Sequence, residues 1–594
     1  MKPFWRSFWA STLSYIVLSI LFFVVMFVIF GALSSALVSK NDTTINQNTV
    51  LEINFKQAIS ERSELIFNNN ISSPFETTLG LKEIKSSLLR AKKDDKIEGI
   101  LLNTENIMIG LANLDELRNA LIDFKKSGKF IYAYAETYSQ KSYYLSTVAD
   151  KILLYPEGAV DFRGLSSELM FFKNAIDKLE IDVQIIRGSN NTFKSAVEPY
   201  MYEKMSPANR KQIQKLLDDV WKNMTHNIKD ERNISLENLN EIADSIYSNN
   251  AENTLKHKLI DYLVYEDEID SIIKANNNIK PDETIHFLDF TKYMNSDVSK
   301  TLNKLNFTNK NIAVVYAVGE IISGKSEQGK MGSETIVEAI RTAKNDTTIK
   351  AVVLRVNSPG GSALASDVMW REIQLTKKIK PVVVSMGDVA ASGGYYISCG
   401  ADRVFAGPNT ITGSIGVFGV IPNLNPMLKN KLGITIDRVE TNEHASFSML
   451  NKLSPFERRK IQEGVDDIYD DFISKVADGR DGLKKSDVDR IGQGRVWSGK
   501  EALDIALIDE IGELDDAINY AAQLVDVENI KLLNLPKSKN NELLEIFQSF
   551  EMSNNSSTIN DDFIKKIKTI FNQIKETKSI DKYQTRLPFE IIID

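Results

Sequence analysis

Residues 386–396 read Met-Gly-Asp-Val-Ala-Ala-Ser-Gly-Gly-Tyr-Tyr. They set one serine, Ser392, among small residues, directly after the apolar run 381–385, which reads as a buried strand. Small neighbours leave the hydroxyl open, and Gly393 lets a second backbone approach closely. A serine hydroxyl becomes a nucleophile only beside a base. None of the four histidines (His226, His257, His286, His444) lies next to a recognisable motif. Lys194, within Thr-Phe-Lys-Ser-Ala-Val-Glu-Pro at 192–199, is the alternative. An amine is a base only when neutral, and burial lowers its pKa because the charged form loses solvation. Phe193, Ala196 and Val197 are expected to wall that pocket. Acyl transfer also needs two backbone N–H donors for the oxyanion. Gly393 offers one, and the turn Asn357-Ser358-Pro359-Gly360-Gly361 offers the other. Ser414, in Thr-Gly-Ser-Ile-Gly at 412–416, is placed to hydrogen-bond the lysine and aim its lone pair at Ser392.

Each piece alone has a plainer reading. Ala-Ala-Ser-Gly-Gly is most often a packed helix start, Ser-Pro-Gly-Gly a turn, a lone lysine a solvated surface residue, and Ser414 a turn serine. Their joint occurrence within an internal repeat favours the chemical reading. Residues 96–156 lie over 348–408 without a gap, matching Leu102 with Leu354, Tyr143 with Tyr395, Tyr144 with Tyr396, Asp150 with Asp402 and Pro156 with Pro408. Further on, Leu259-Ile260-Asp261 meets Leu507-Ile508-Asp509. Two copies of one domain explain this. The copies have lost different parts. Ser392-Gly393-Gly394 faces Gln140-Lys141-Ser142, and Lys194 faces Ser446. A complete site therefore takes its serine from the second copy and its lysine from the first.

The elements that must position these residues alternate. In the second copy, 312–318, 351–356 and 381–385 read as strands, 364–378 as a helix, and Gly393 as the start of another. That alternation predicts an α/β class with largely parallel strands, whose ligands bind at strand ends, where the 357–361 turn lies.

The chain has 594 residues, too many for one core. A net charge of −8 argues against nucleic acid as a partner. There is no metal-ligand spacing of the His-Glu-x-x-His kind, and no metal or cofactor is expected. The single cysteine, Cys399, forbids an internal disulfide and reads as a small buried hydrophobe. Residues 319–326 fit Gly-x-x-x-x-Gly-Lys-Ser literally. However, the next residues hold two glycines and no apolar period, so no phosphate-binding helix is expected there. No charge interrupts residues 7–39. The core of that stretch, 15–33, rises about 28 Å as a helix, enough to span a bilayer. Lys2 and Arg6 precede it, which predicts a cytoplasmic N-terminus and a body outside.

Three strings now identify a family. Val-Val-Leu-Arg-Val-Asn-Ser-Pro-Gly-Gly-Ser-Ala-Leu-Ala-Ser at 352–366, the segment 383–398 around Ser392, and Thr-Gly-Ser-Ile-Gly-Val-Phe-Gly at 412–419 closely resemble signal peptide peptidase A (protease IV). Lys-Ser-Ala-Val-Glu-Pro-Tyr at 194–200, with Met-Ser-Pro at 205–207, resembles the lysine segment of its long, duplicated form. Gly-Arg-Val-Trp-Ser-Gly-Lys-Glu-Ala-Leu at 494–503 resembles its C-terminal motif. The resemblance covers residues 1–535. It implies two tandem Clp-protease/crotonase-like repeats after a transmembrane helix, in a bacterial cytoplasmic membrane. It also implies a Ser/Lys dyad that cuts remnant signal peptides, and a homo-oligomer, tetrameric in the long form. Ser392 is then nucleophile, Lys194 general base, Gly393 and Gly361 (or else Gly360) oxyanion donors, and Ser414 the lysine's partner.

The implied organisation is an anchor at 1–45, a lysine-bearing repeat at 46–305, a serine-bearing repeat at 306–535 and a polar tail at 536–594. The tail has no counterpart in the resemblance, and 562–574 reads as amphipathic. Two other readings compete: a crotonase-like acyl-thioester enzyme, which would use the oxyanion donors without a serine nucleophile, and a non-catalytic membrane scaffold.

Overall fold

The structure is a computed structural model that describes residues 14–15, 17–19, 21–22, 45–67, 75–277, 279–296, 310–537 and 584–586. The first repeat supplies β1 (Thr49–Ile53), β2 (Ile97–Asn103), β3 (Phe130–Tyr138), β4 (Lys151–Val160), β5 (Asp182–Arg187), β6 (Tyr262–Leu263) and β7 (His286–Asp289). All but β5 form a parallel sheet in the order β6-β4-β3-β2-β1-β7. The second repeat supplies β8 (Ile312–Val318), β9 (Glu320–Ile322), β10 (Lys330–Gly332), β11 (Ala351–Ser358), β12 (Gly360–Ser362), β13 (Val382–Ala391), β14 (Arg403–Ala406), β15 (Ile411–Gly413), β16 (Phe418–Asn423), β17 (Val496–Ser498), β18 (Glu510–Ile511) and β19 (Leu532–Leu535). Its main sheet repeats the first in the order β18-β14-β13-β11-β8-β19, with β15 and β17 branching from β13. Matching strand order confirms the internal repeat. The central strands are buried along nearly their whole length, six of seven residues in β8 and seven of eight in β11. That is why they read as continuous apolar runs and not as alternating ones.

One strand exceeds its expected length. The run 381–385 is the front half of β13, which continues to Ala391. A register shift in β11 brings Ser358 opposite Ala390, and residues 389–391 then pair with β15. Gly387 and Asp388 interrupt the apolar run and hide this continuation from a periodicity reading, yet it carries the strand up to Ser392. The literal phosphate-loop match is a strand, β9, and a bend; the next helix begins only at Ser333.

A third sheet draws on both repeats in the order β10-β9-β12-β20-β16-β5, where β20 is Gln584–Arg586. The repeats are also joined by a buried ionic cluster. Arg355, fully buried on β11, donates from Nε to Glu61 (2.8 Å) and pairs through Nη2 with Glu116 (2.6 Å), both from the first repeat. Asn113 Oδ1 and Ser385 Oγ accept from the same guanidinium, each at 2.8 Å. An arginine inside an apolar strand must find such partners, a signal that the sequence reading passed over.

Most of the expected anchor at 15–33 lies outside the described residues, as does 562–574. Among the described residues no helix is long and apolar enough to cross a membrane.

Candidate active site

Ser392 lies where β13 passes into the helix Gly393–Ser398, with φ at 57°. A non-glycine residue keeps this left-handed conformation only where its surroundings hold it. Here its N–H donates to Gly413 O and its carbonyl accepts from Tyr396 N–H, each at 2.8 Å. Gly393 N–H opens the helix and so has no acceptor within it.

Lys194 arrives on a loop of the first repeat, between β5 and the helix Pro207–Arg232. The loop is fastened to the second repeat. Phe193 N–H donates to Gln493 O (3.0 Å) and Asn190 Nδ2 donates to Asp489 Oδ1 (2.8 Å). From behind, Gln212 Nε2 donates to Phe193 O (3.1 Å) and Ser195 Oγ (2.9 Å).

The two halves meet at the side chains. Lys194 Nζ lies 2.9 Å from Ser392 Oγ, and 3.1 Å from both the Oγ and the carbonyl oxygen of Ser414. Lys194, Ser392 and Ser414 are all fully buried. Burial lowers the Lys194 pKa to about 7. A neutral amine has two N–H donors and one lone pair. Donation to the two Ser414 oxygens leaves the lone pair for the Ser392 hydroxyl, which then donates to it. This arrangement suits proton abstraction from serine at neutral pH.

Of the residues flanking the lysine, Val197 is buried, Phe193 and Ala196 are half-buried, and the Phe193 ring lies under the Arg495 guanidinium at 5.1 Å. The second repeat adds to the lysine's enclosure. The Phe418 ring centroid is 5.9 Å from Nζ, and Gly416 and Gly494 press against the lysine stem. At Gly494, φ is +75° and an added Cβ would stand 2.4 Å from Lys194 Cβ. Gly494→Ala should therefore displace Lys194 and lower kcat/KM about 100-fold while the protein stays folded. Peptide hydrolysis read beside thermal unfolding checks this; near-parental activity would mean the contact yields freely.

The 357–361 turn packs on the start of the helix that follows Ser392. Ser358 O lies 2.7 Å from where a Cβ on Gly394 would stand. Gly360 has φ +97° and donates its N–H to Ser358 Oγ at 3.2 Å. Gly361 has φ +154°, and a Cβ there would lie 2.1 Å from Ile321 O, so only glycine fits. Cys399 is buried with its thiol pushed up to about 12 by burial, which makes it a packing residue.

All six singled-out residues thus fall in one region formed by both repeats. Missed at the sequence level were Phe418, Gly416 and Gly494 as the lysine's enclosure, although all three stood inside quoted motifs.

Comparison with known proteins places the chain in a family. The profile of Peptidase family S49 matches residues 123–280 and again 374–528. The chain belongs to peptidase family S49. A Clp protease profile also matches residues 304–412 of this S49 chain. "Protease 4" of Haemophilus influenzae is 36% identical over 506 residues, covering 84% of this chain and 81% of that protein. "Serine protease SPPA, chloroplastic" of Arabidopsis thaliana is 30% identical, covering 84% and 72%. A solved mutant form of a "1510-N membrane-bound stomatin-specific protease" covers 39% of this chain and 99% of its own, at 18% identity with a TM-score of 0.25. The family match establishes a serine peptidase with a duplicated S49 domain.

Proposed function

We propose that this S49 peptidase is a membrane-anchored endopeptidase that degrades remnant signal peptides and other apolar peptides through an acyl-enzyme. The observation that carries the reading is the 2.9 Å contact of a buried lysine with a buried serine. Lys194 Nζ takes the Ser392 proton as Oγ attacks the scissile carbonyl. The oxyanion accepts from the N–H groups of Gly393 and Gly361, with Gly360 as the alternative to Gly361. Ser414 steadies the ammonium that forms, and that ammonium protonates the leaving amine. Water, deprotonated by the same amine, then releases the acyl group. Residues 15–33 hold the body on the outer face of the cytoplasmic membrane, where copies assemble into an oligomer. Residues 46–305 carry the base and 306–535 the nucleophile.

The test is covalent. An apolar signal-peptide-like acyl ester should leave one acyl group per chain by intact mass, mapped to Ser392. Hydrolysis without an adduct there, or an adduct elsewhere, would exclude the acyl-enzyme route and bring back a crotonase-like use of the oxyanion donors.

A further inference from the structure

Three residues of the polar tail, 584–586, which the resemblance to the family does not explain, reach the site. Strand β20 lies between β12 and β16. It runs antiparallel to β12, with Ser362 opposite Gln584, Gly361 opposite Thr585 and Gly360 opposite Arg586. On its other side Phe418 of β16 stands opposite Gln584, again antiparallel. Among the described residues β20 is the only link between the β10-β9-β12 and β16-β5 parts of this sheet. With β20 removed, two strand edges would face each other across a slot one strand wide, each with unpaired backbone donors and acceptors. Such a slot takes an extended peptide by backbone pairing and is tolerant of its sequence.

Three observations place the slot against the dyad. Phe418, opposite Gln584, has its ring 5.9 Å from Lys194 Nζ. Gly360, opposite Arg586, follows the Ser358 turn that packs on Gly394. Ser392 is fully buried, so an external peptide reaches Oγ only after something over the site gives way. Direction also matters. From Gln584 to Arg586 the tail passes from Ser362 to Gly360, that is, toward the Ser358 turn and the helix start behind Ser392. An acyl-side peptide must enter the same way, because its scissile carbonyl comes last.

We infer that residues 584–586 occupy, in cis, the strand position that the acyl side of a peptide substrate takes, so that the chain's own tail competes with substrate. The inference rests on the proposed peptidase reading of the site and adds to it an occupant and a direction. Tethering makes the competition effective. A linked segment acts at an effective concentration on the order of millimolar, so even weak three-residue pairing raises the apparent KM without touching kcat.

The test uses the full chain. Successive N–H groups of a strand point to opposite neighbours. Thr585→Pro with Arg586→Pro therefore removes one donor toward β12 and one toward β16. KM for an apolar peptide should fall about tenfold with kcat within about twofold of parental. Thr585→Val with Arg586→Gln keeps the backbone donors and should keep the parental KM. A second readout needs no catalysis. A fluorescent peptide with the sequence of residues 580–590 should bind the Ser392→Ala chain about tenfold more tightly when the two prolines are present. Equal KM and equal probe binding with and without the prolines would overturn the inference. If the probe discriminates while the acyl ester never labels Ser392, the dyad reading fails and the tail's occupancy stands.

Discussion

Lys194→Ala should lower kcat/KM for an apolar peptide about 10³- to 10⁵-fold, the loss expected when the partner that activates a serine is removed. Lys194→Arg should be as inactive, because a guanidinium keeps its proton throughout the working range. With the Lys194 pKa lowered to about 7, log kcat/KM of the parent should climb as pH rises to 7 and level off above it. Stability should move the other way. In the unfolded chain Lys194 titrates near its ordinary value of 10.5. Between about 7 and 10.5 the unfolded state binds the extra proton, so the parent's stability rises with pH across that window. The cost of burying this amine is absent above 10.5, grows as pH falls and is complete at and below 7, where it amounts to about 3–5 kcal/mol. Lys194→Met should thus be inactive yet more stable than the parent at pH 6, with the gap closing toward pH 10.5. Denaturant unfolding across pH measures it. A constant gap would show a lysine that keeps its usual pKa, and a base for Ser392 would have to be sought elsewhere.

How much of this was legible depended on where each signal lay in the chain. Buried parallel strands such as β8 and β11 announce themselves as apolar runs, because both of their faces are covered. The positions of Ser392 and Lys194 stood out through comparison of the two copies, since each residue faces a non-equivalent one in the other copy. Other features were hidden for definite reasons. The back half of β13 is Gly-Asp-Val-Ala-Ala, where Gly387 and Asp388 break the apolar run, and its pairing depends on a register shift in β11. Phe418 and Gly494 enclose Lys194 only after the chain folds back over more than 200 residues, and no local period records such a contact. Strand β20 is the polar triplet Gln-Thr-Arg. Its place is set by the two edges beside it, and nothing in its own sequence marks it as a strand.

Lys194 meets Ser392 only while the two repeats stay in register, and Arg355 is one of the residues that tie them together. Burial is the largest influence on the Glu61 carboxyl and pushes it up, but the Arg355 charge and the hydrogen bonds from Arg355, Asn113 and Asn357 together outweigh it and hold the group below its usual range. Arg355→Met would leave Glu61 and Glu116 buried without their guanidinium. Glu116 would keep Lys85 at 3.2 Å, but Glu61 would be stranded, and stranding a buried charge costs about 3–5 kcal/mol. Activity should fall with stability, because β11, which carries Arg355, ends in the Ser358 turn that packs behind Ser392. Neutralising both carboxyls separates charge from shape. Arg355→Met combined with Glu61→Gln and Glu116→Gln should recover most of the lost stability, since a buried ion cluster replaced as a whole by neutral residues is often tolerated. Glu61→Gln and Glu116→Gln with Arg355 intact should be destabilised, the guanidinium now being the stranded charge. Guanidinium chloride unfolding of the four proteins decides it. If the triple variant is no more stable than Arg355→Met alone, packing around β11 and not charge compensation joins the repeats. Recovery of stability without activity would mean that the cluster also sets the register of the turn, because the amides and the methionine fill the space without dictating the direction of the hydrogen bonds.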